Sequence, residues 1–137
     1  MKRYGWLLIL LIYQSPGFSQ QAVTPQPGAE SAIGFATVQD AYDALSADPT
    51  AKKSEFDGWT IFNQKIDGKY VIWSFTPVDH PVHPTAVRRE VVKKDGEVYI
   101  TMDALCYSSR LDCDQLIEQF KQINQNLQHR LASDPGS

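Results

Sequence analysis

The sequence predicts an α+β domain of order α-β-β-β-β-α, a four-stranded antiparallel meander with two helices packed on one face. Three observations predict it. Runs of β-branched and aromatic residues flank Asp67-Gly68 and Asp95-Gly96, dipeptides suited to tight hairpin turns. A stretch on either side of this region carries apolar residues at helical spacing. The 137 residues, 42% hydrophobic and 21% charged, suit one ordinary globular domain.

The chain begins Met1-Lys2-Arg3, followed by an apolar run from Tyr4 to Tyr13 and then by Gln14, Pro16, Gly17 and Ser19. A basic start, a short apolar stretch and small residues at 17 and 19 read as a secretory signal over 1–19, cleaved before Gln20. The apolar run is well short of the roughly 20 residues that span a bilayer, so no stable membrane insertion is expected after cleavage. Cleavage removes Lys2 and Arg3, leaving 11 basic against 16 acidic residues and a net charge of about −5. Such a chain repels phosphate at long range, which argues against nucleic acid as a partner.

Residues 20–34 are rich in Gln, Ala, Pro, Gly and Ser and read as a disordered linker. The domain is expected over 35–131, with a disordered tail over 132–137. Thr37 stands three residues before Asp40, and Val38, Ala41, Tyr42 and Leu45 follow at helical spacing, predicting a helix from Val38 to Ala47. Thr50 to Ser54 read as a polar turn. The first strand then carries Phe56, Trp59, Ile61 and Phe62, and the second runs from Tyr70 to Phe75. The third covers Ala86 to Lys94 and the fourth Glu97 to Asp103, with Val98, Ile100 and Met102 on one face. Leu116, Ile117, Phe120, Ile123, Leu127 and Leu131 form one stripe of a final helix over Asp112 to Leu131. Both helices need an apolar surface, which only the sheet supplies. Alternation groups Val71, Trp73 and Phe75 against Tyr70, Ile72 and Ser74. Phe62 and Tyr99 are expected to join the second group, either as an aromatic patch in water or beneath loops.

Between the second and third strands lies Asp79-His80-Pro81-Val82-His83-Pro84, preceded by Pro77. Proline fixes φ and has no N–H for a ladder, so the strand stops near Pro77 and a stiff, extended segment follows. Imidazole is a common metal ligand, so His80 and His83, with Asp79, are the candidate metal ligands. Residues three apart in extended backbone lie roughly 10 Å apart, too far for one ion unless the prolines turn the chain. For catalysis a histidine needs a nucleophile within reach and a third group to orient it. Ser74, Thr76, Ser108 and Ser109 are the candidate hydroxyls, and no nucleophile-elbow pattern surrounds the serines. No P-loop, dinucleotide fingerprint or calcium loop is present, and no cofactor is implied.

Cys106 and Cys113, the only cysteines, are expected to form a disulfide, because an even count in an exported chain favours pairing. Arg88, Arg89, Lys93 and Lys94 alternate with valines on the third strand and read as its solvated side.

Gly58-Trp59-Thr60, the string Trp73-Ser74-Phe75-Thr76-Pro77 with His80-Pro81-Val82-His83-Pro84, and the cysteine pair resemble those of small exported proteins of Gram-negative bacteria. The resemblance covers Phe35 to Leu127 and carries over no activity, ligand or residue role. A J-domain mechanism is excluded, since His80-Pro81 is followed by Val82 and lies between strands. The expectation is a non-enzymatic periplasmic or secreted binding module for a protein or envelope component. Its surface would comprise Trp73, Phe75, Pro77, His80, Pro81, His83 and Pro84. The alternative is an exported zinc- or copper-binding protein using His80 and His83.

Overall fold

The computed structural model describes residues 31–134. The expected signal, the linker up to residue 30 and residues 135–137 lie outside the described residues. Helix α1 spans Val38–Ala47 and is capped by Thr37, whose hydroxyl accepts the Asp40 N–H at 3.0 Å. Its buried residues are Val38, Ala41 and Leu45. Asp48 closes it, with its Oδ1 accepting the Thr50 N–H at 2.8 Å and the Thr50 hydroxyl at 2.7 Å. Ile33, in the stretch read as linker, is 3% exposed and packs in the same core.

Five strands follow: β1 (Lys52–Phe56), β2 (Trp59–Ile66), β3 (Lys69–Phe75), β4 (Thr85–Lys94) and β5 (Glu97–Cys106). They form one antiparallel meander in the order β1-β2-β3-β4-β5. The strand count is therefore five, not four. β1 occupies much of the predicted polar turn, and a third Asp-Gly pair, Asp57-Gly58, divides the run read as a single first strand. Every residue of β1 is exposed, so it has no apolar alternation to betray it and owes its conformation to pairing with β2. In all three hairpin turns both residues have positive φ, 49° to 53° at the aspartates and 78° at the glycines. That geometry matches the right-handed twist of the strands and is the reason Asp-Gly serves there.

The two helices lie on opposite faces of the sheet, not on one. Phe62, Trp73 and Arg88 stand side by side across β2, β3 and β4. Phe75 and Ala86 form the adjoining row, and α1 covers this face through Ala41 and Leu45. The other face carries Val87, Met102 and Ala104, against which Leu116 and Phe120 pack. Those two belong to helix α2, Arg110–Ser133, longer than predicted at both ends and capped by Ser109 through the Asp112 N–H at 3.1 Å. Each face presents its own apolar row, so each recruits a helix, and every large side chain buried this way contributes about 1.5–3 kcal/mol. Phe62 and Tyr99 are also corrected. Phe62 pairs with Trp73 and Tyr99 with Val92, which places both on the α1 face, away from Tyr70 and Ile72.

α2 packs chiefly over β5. The expected disulfide is present: Cys106, at the end of β5, is bonded to Cys113 in the first turn of α2, with an S–S distance of 2.07 Å. Among the described residues no helix is long and apolar enough to cross a membrane.

Candidate functional site

The segment Pro77–Pro84 leaves the sheet between β3 and β4, and two threonines close its neck. Thr76 N–H donates to the Thr85 carbonyl at 3.1 Å, and Thr85 N–H donates to Thr76 Oγ1 at 2.9 Å. Both threonines are buried. The segment is not extended, as the prolines alone suggested. Two successive turns fold it, His80 N–H donating to the Pro77 carbonyl at 3.1 Å and His83 N–H to the His80 carbonyl at 2.9 Å. Proline forbids ladder pairing but suits turns, and here the second property prevails. The His83–Pro84 peptide is cis. Val82, 3% exposed, joins Val87, Leu116 and Phe120 beneath the segment and anchors it to the α2 face.

The anchoring sends the two histidines to different walls. His80 sets its ring edge-on to Trp59, centroids 5.2 Å apart, and borders a cleft of about 170 Å³ together with Asp112 and Gln119 of α2. His83 lines a larger groove, about 530 Å³, between the segment and the N-terminal end of α1. They share neither cavity. Among the described residues no group of three His, Cys, Asp or Glu side chains is disposed to hold a metal. Asp79 is exposed at the tip of the segment.

The hydrogen bonds also give the two rings opposite tautomers. His80 Nδ1 accepts the Val82 N–H at 3.3 Å, so its neutral ring carries the proton on Nε2. His83 Nδ1 lies 3.1 Å from the Thr76 carbonyl, which only accepts, so Nδ1 is the protonated nitrogen. Thr76 Oγ1 is 3.2 Å from the same Nδ1. A nitrogen already donating to a carbonyl is not a base for the adjacent hydroxyl, so this Thr-His contact is not a catalytic pair. The other hydroxyls are engaged elsewhere. Ser74 accepts from Arg89 at 3.3 Å, Ser109 caps α2, and Ser108 donates to Asp112 at 3.5 Å.

Of the predicted binding surface, Phe75, Pro77, His83 and Pro84 line the larger groove, while His80 and Pro81 face the smaller cleft. Trp73 is a correction, because it is 4% exposed and lies in the core under α1. Its Nε1–H donates to Gln64 Oε1 at 3.2 Å, and Gln64 donates onward to Asp48 Oδ2 at 2.7 Å. Thr50 first, and then Gln64, hold the Asp48 carboxyl below the usual carboxylate range.

Sequence reasoning missed Tyr42 and Tyr107 as groove residues. Tyr42 stands in the helical stripe that marked it as core, and it contacts both Phe62 and Phe75 edge-on. Tyr107, half-exposed beyond β5, donates its hydroxyl to the Ala36 carbonyl at 3.2 Å. That bond spans the chain from one end of the domain to the other, and no local pattern announces it. Comparison of the chain with known protein families, curated proteins and solved structures finds no match.

Proposed function

We propose that the protein is an exported, non-catalytic binding module whose groove between α1 and the Pro77–Pro84 segment accepts a segment of a partner protein. The observation that carries this reading is the composition of that groove. Tyr42, Tyr107, Pro77 and Pro84 provide apolar and aromatic surface, while Thr37, Gln39, Thr60 and His83 are among its polar groups. A concave surface that mixes aromatic and apolar side chains with hydrogen-bonding groups can hold a peptide segment through both, and about 530 Å³ lies in the usual size range of binding sites. The stiffness of the proline segment favours binding as well, since little conformational freedom remains to be lost on contact. Export is supported by the basic and apolar N-terminus of the sequence and by the closed Cys106–Cys113 bridge.

Site-specific photo-crosslinking tests the proposal. Val78 lines the groove and is 86% exposed, so a photoreactive residue there reports on an occupant without disturbing the core. The expected result is a discrete crosslinked protein in envelope or secreted fractions, lost when Tyr107→Ala and His83→Ala are added. An identical crosslinking pattern with and without those two substitutions would sink the proposal.

A further inference from the structure

The sheet ends in two edge strands whose surroundings differ. At β5, helix α2 packs over the strand and Gln128 Nε2 donates to the Val98 carbonyl at 2.8 Å. At β1, no hydrogen bond among the described residues reaches the backbone except those that pair it with β2. All of its residues are exposed, Phe56 by 74%. Phe56 and Trp59 close the two-residue Asp57-Gly58 turn. Antiparallel pairing alternates from there, so Lys52, Ser54 and Phe56 bond to β2, and the backbone groups of Lys53 and Glu55 point outward.

Such an edge can add a strand, although Lys52 and Lys53 discourage most candidates. Charge singles out one that fits, a second copy of β1. When the two strands run antiparallel about Ser54, Lys53 of each copy faces Glu55 of the other, so the opposite-charge pair forms twice. Lys53 and Glu55 are also the residues whose outward N–H and C=O groups must meet in a hydrogen-bonded pair. The neighbouring registers that satisfy the backbone centre on Lys53 or on Glu55 and set like charges opposite each other, which is destabilising. On the other face of the strand, Phe56 falls opposite Lys52 of the second copy, whose stem and ammonium can lie against the ring. Within one copy, Lys53 Nζ donates to the Tyr42 hydroxyl at 2.9 Å, a neutral partner that leaves the charge uncancelled. We infer that the protein forms a symmetric dimer by pairing β1 with β1, joining the two five-stranded sheets edge to edge in the register that sets Lys53 against Glu55. Backbone hydrogen bonds and the covering of Phe56 supply the affinity, while the exposed ion pairs contribute little energy and select the register. The inference does not rest on the proposed partner groove.

Sedimentation equilibrium of the purified protein, from micromolar to millimolar concentration, tests the inference. A monomer–dimer equilibrium is expected, and the amides of Lys53 and Glu55 should gain protection from exchange as the dimer fills. Glu55→Pro removes an outward N–H without breaking a bond to β2 and should leave a monomer. Lys53→Glu and Glu55→Lys should each weaken self-association by about tenfold. Mixing those two variants should restore it, because every lysine in the mixed pair then faces a glutamate, and the gain on mixing should fall as salt is raised. Unchanged amide signals in β3 and β4 show that each variant is folded. An unsubstituted protein that stays monomeric throughout the range would overturn the inference. A dimer retained by Glu55→Pro would overturn the edge. Single variants that associate as tightly as the parent, or a mixture no tighter than either variant alone, would overturn the register.

Discussion

His83 Nδ1 lies 3.1 Å from the Thr76 carbonyl and 3.2 Å from the Thr76 hydroxyl, so one residue at the neck of the proline segment orients the ring that lines the groove. Thr76 also accepts the Thr85 N–H through the same hydroxyl. Thr76→Val keeps the shape and removes the acceptor, leaving a buried N–H unsatisfied. The expected loss is about 1–3 kcal/mol in chemical denaturation. Nitrogen NMR at neutral ring charge should show His83 protonated on Nδ1 and His80 on Nε2. In Thr76→Val the His80 signals should stay in place while those of His83 move.

Gly58 is expected to tolerate substitution poorly for two reasons. Its φ is +78°, and a Cβ added there would stand 3.3 Å from Pro77 Cγ. Gly58→Ala should lower stability by about 1–2 kcal/mol from the left-handed backbone alone. It should also move the amide signals of Val78 and His83, which Gly68→Ala, with open space around it, should leave in place.

The Cys106–Cys113 bridge closes a short loop, for which chain entropy predicts about 2.5 kcal/mol. Reduction, or Cys106→Ser with Cys113→Ser, should lower the unfolding free energy by about that amount. Amide exchange should accelerate first at the start of α2, since Leu116 and Phe120 still hold the rest of that helix to the sheet.

The hydrogen bonds that Asp48 accepts, from Thr50 first and then from Gln64, make stability depend on acid. The Asp48 carboxyl titrates lower in the folded state than its ordinary value. Its contribution is therefore present above the unfolded pKa, near 4, and is lost as pH falls through the folded value. Asp48→Asn should flatten the acid limb of a stability profile and leave the region above pH 6 nearly level. Gln64→Leu strands the Trp73 N–H in the core, at an expected cost of about 1–3 kcal/mol at every pH.

Arg89 is 7% exposed beneath α2, with its guanidinium 5.1 Å from the Phe120 ring. Its hydrogen bonds to Ser74 and Asn124 are long, 3.3 and 3.4 Å, and Nε has no partner. Burial pushes its pKa down. The sequence reading placed Arg88, Arg89, Lys93 and Lys94 on the solvated side of a strand; Lys93 and Lys94 are exposed, Arg88 is half-buried over Trp73, and Arg89 is buried. Arg89→Met should be neutral or stabilising in thermal melts, as replacement of an ill-compensated buried charge often is. Phe120→Ala, by contrast, should cost about 3–5 kcal/mol.

The same arginine shows where local reading ends. Alternation puts Arg88 and Arg89 on opposite faces, but which face receives a long helix is decided by residues far along the chain. Helix α1 was legible because Thr37 and the Val38, Ala41, Leu45 spacing are local. The Asp67-Gly68 and Asp95-Gly96 turns were legible because the turn itself demands those residues. Asp57-Gly58 carried the same signal, but Lys52 to Phe56 lacks the apolar alternation that identifies a strand.

The sequence by itself determined the elements whose causes lie within a few residues: both helices, two of the three hairpin turns, the proline-marked end of β3 and the pairing of the only two cysteines. The tertiary structure alone decided that the helices take opposite faces, because each face of the sheet offers its own apolar row. It also decided that the proline segment coils. Val82 is drawn into the α2 core, the Thr76–Thr85 neck closes behind it, and His80 and His83 are left facing different cavities.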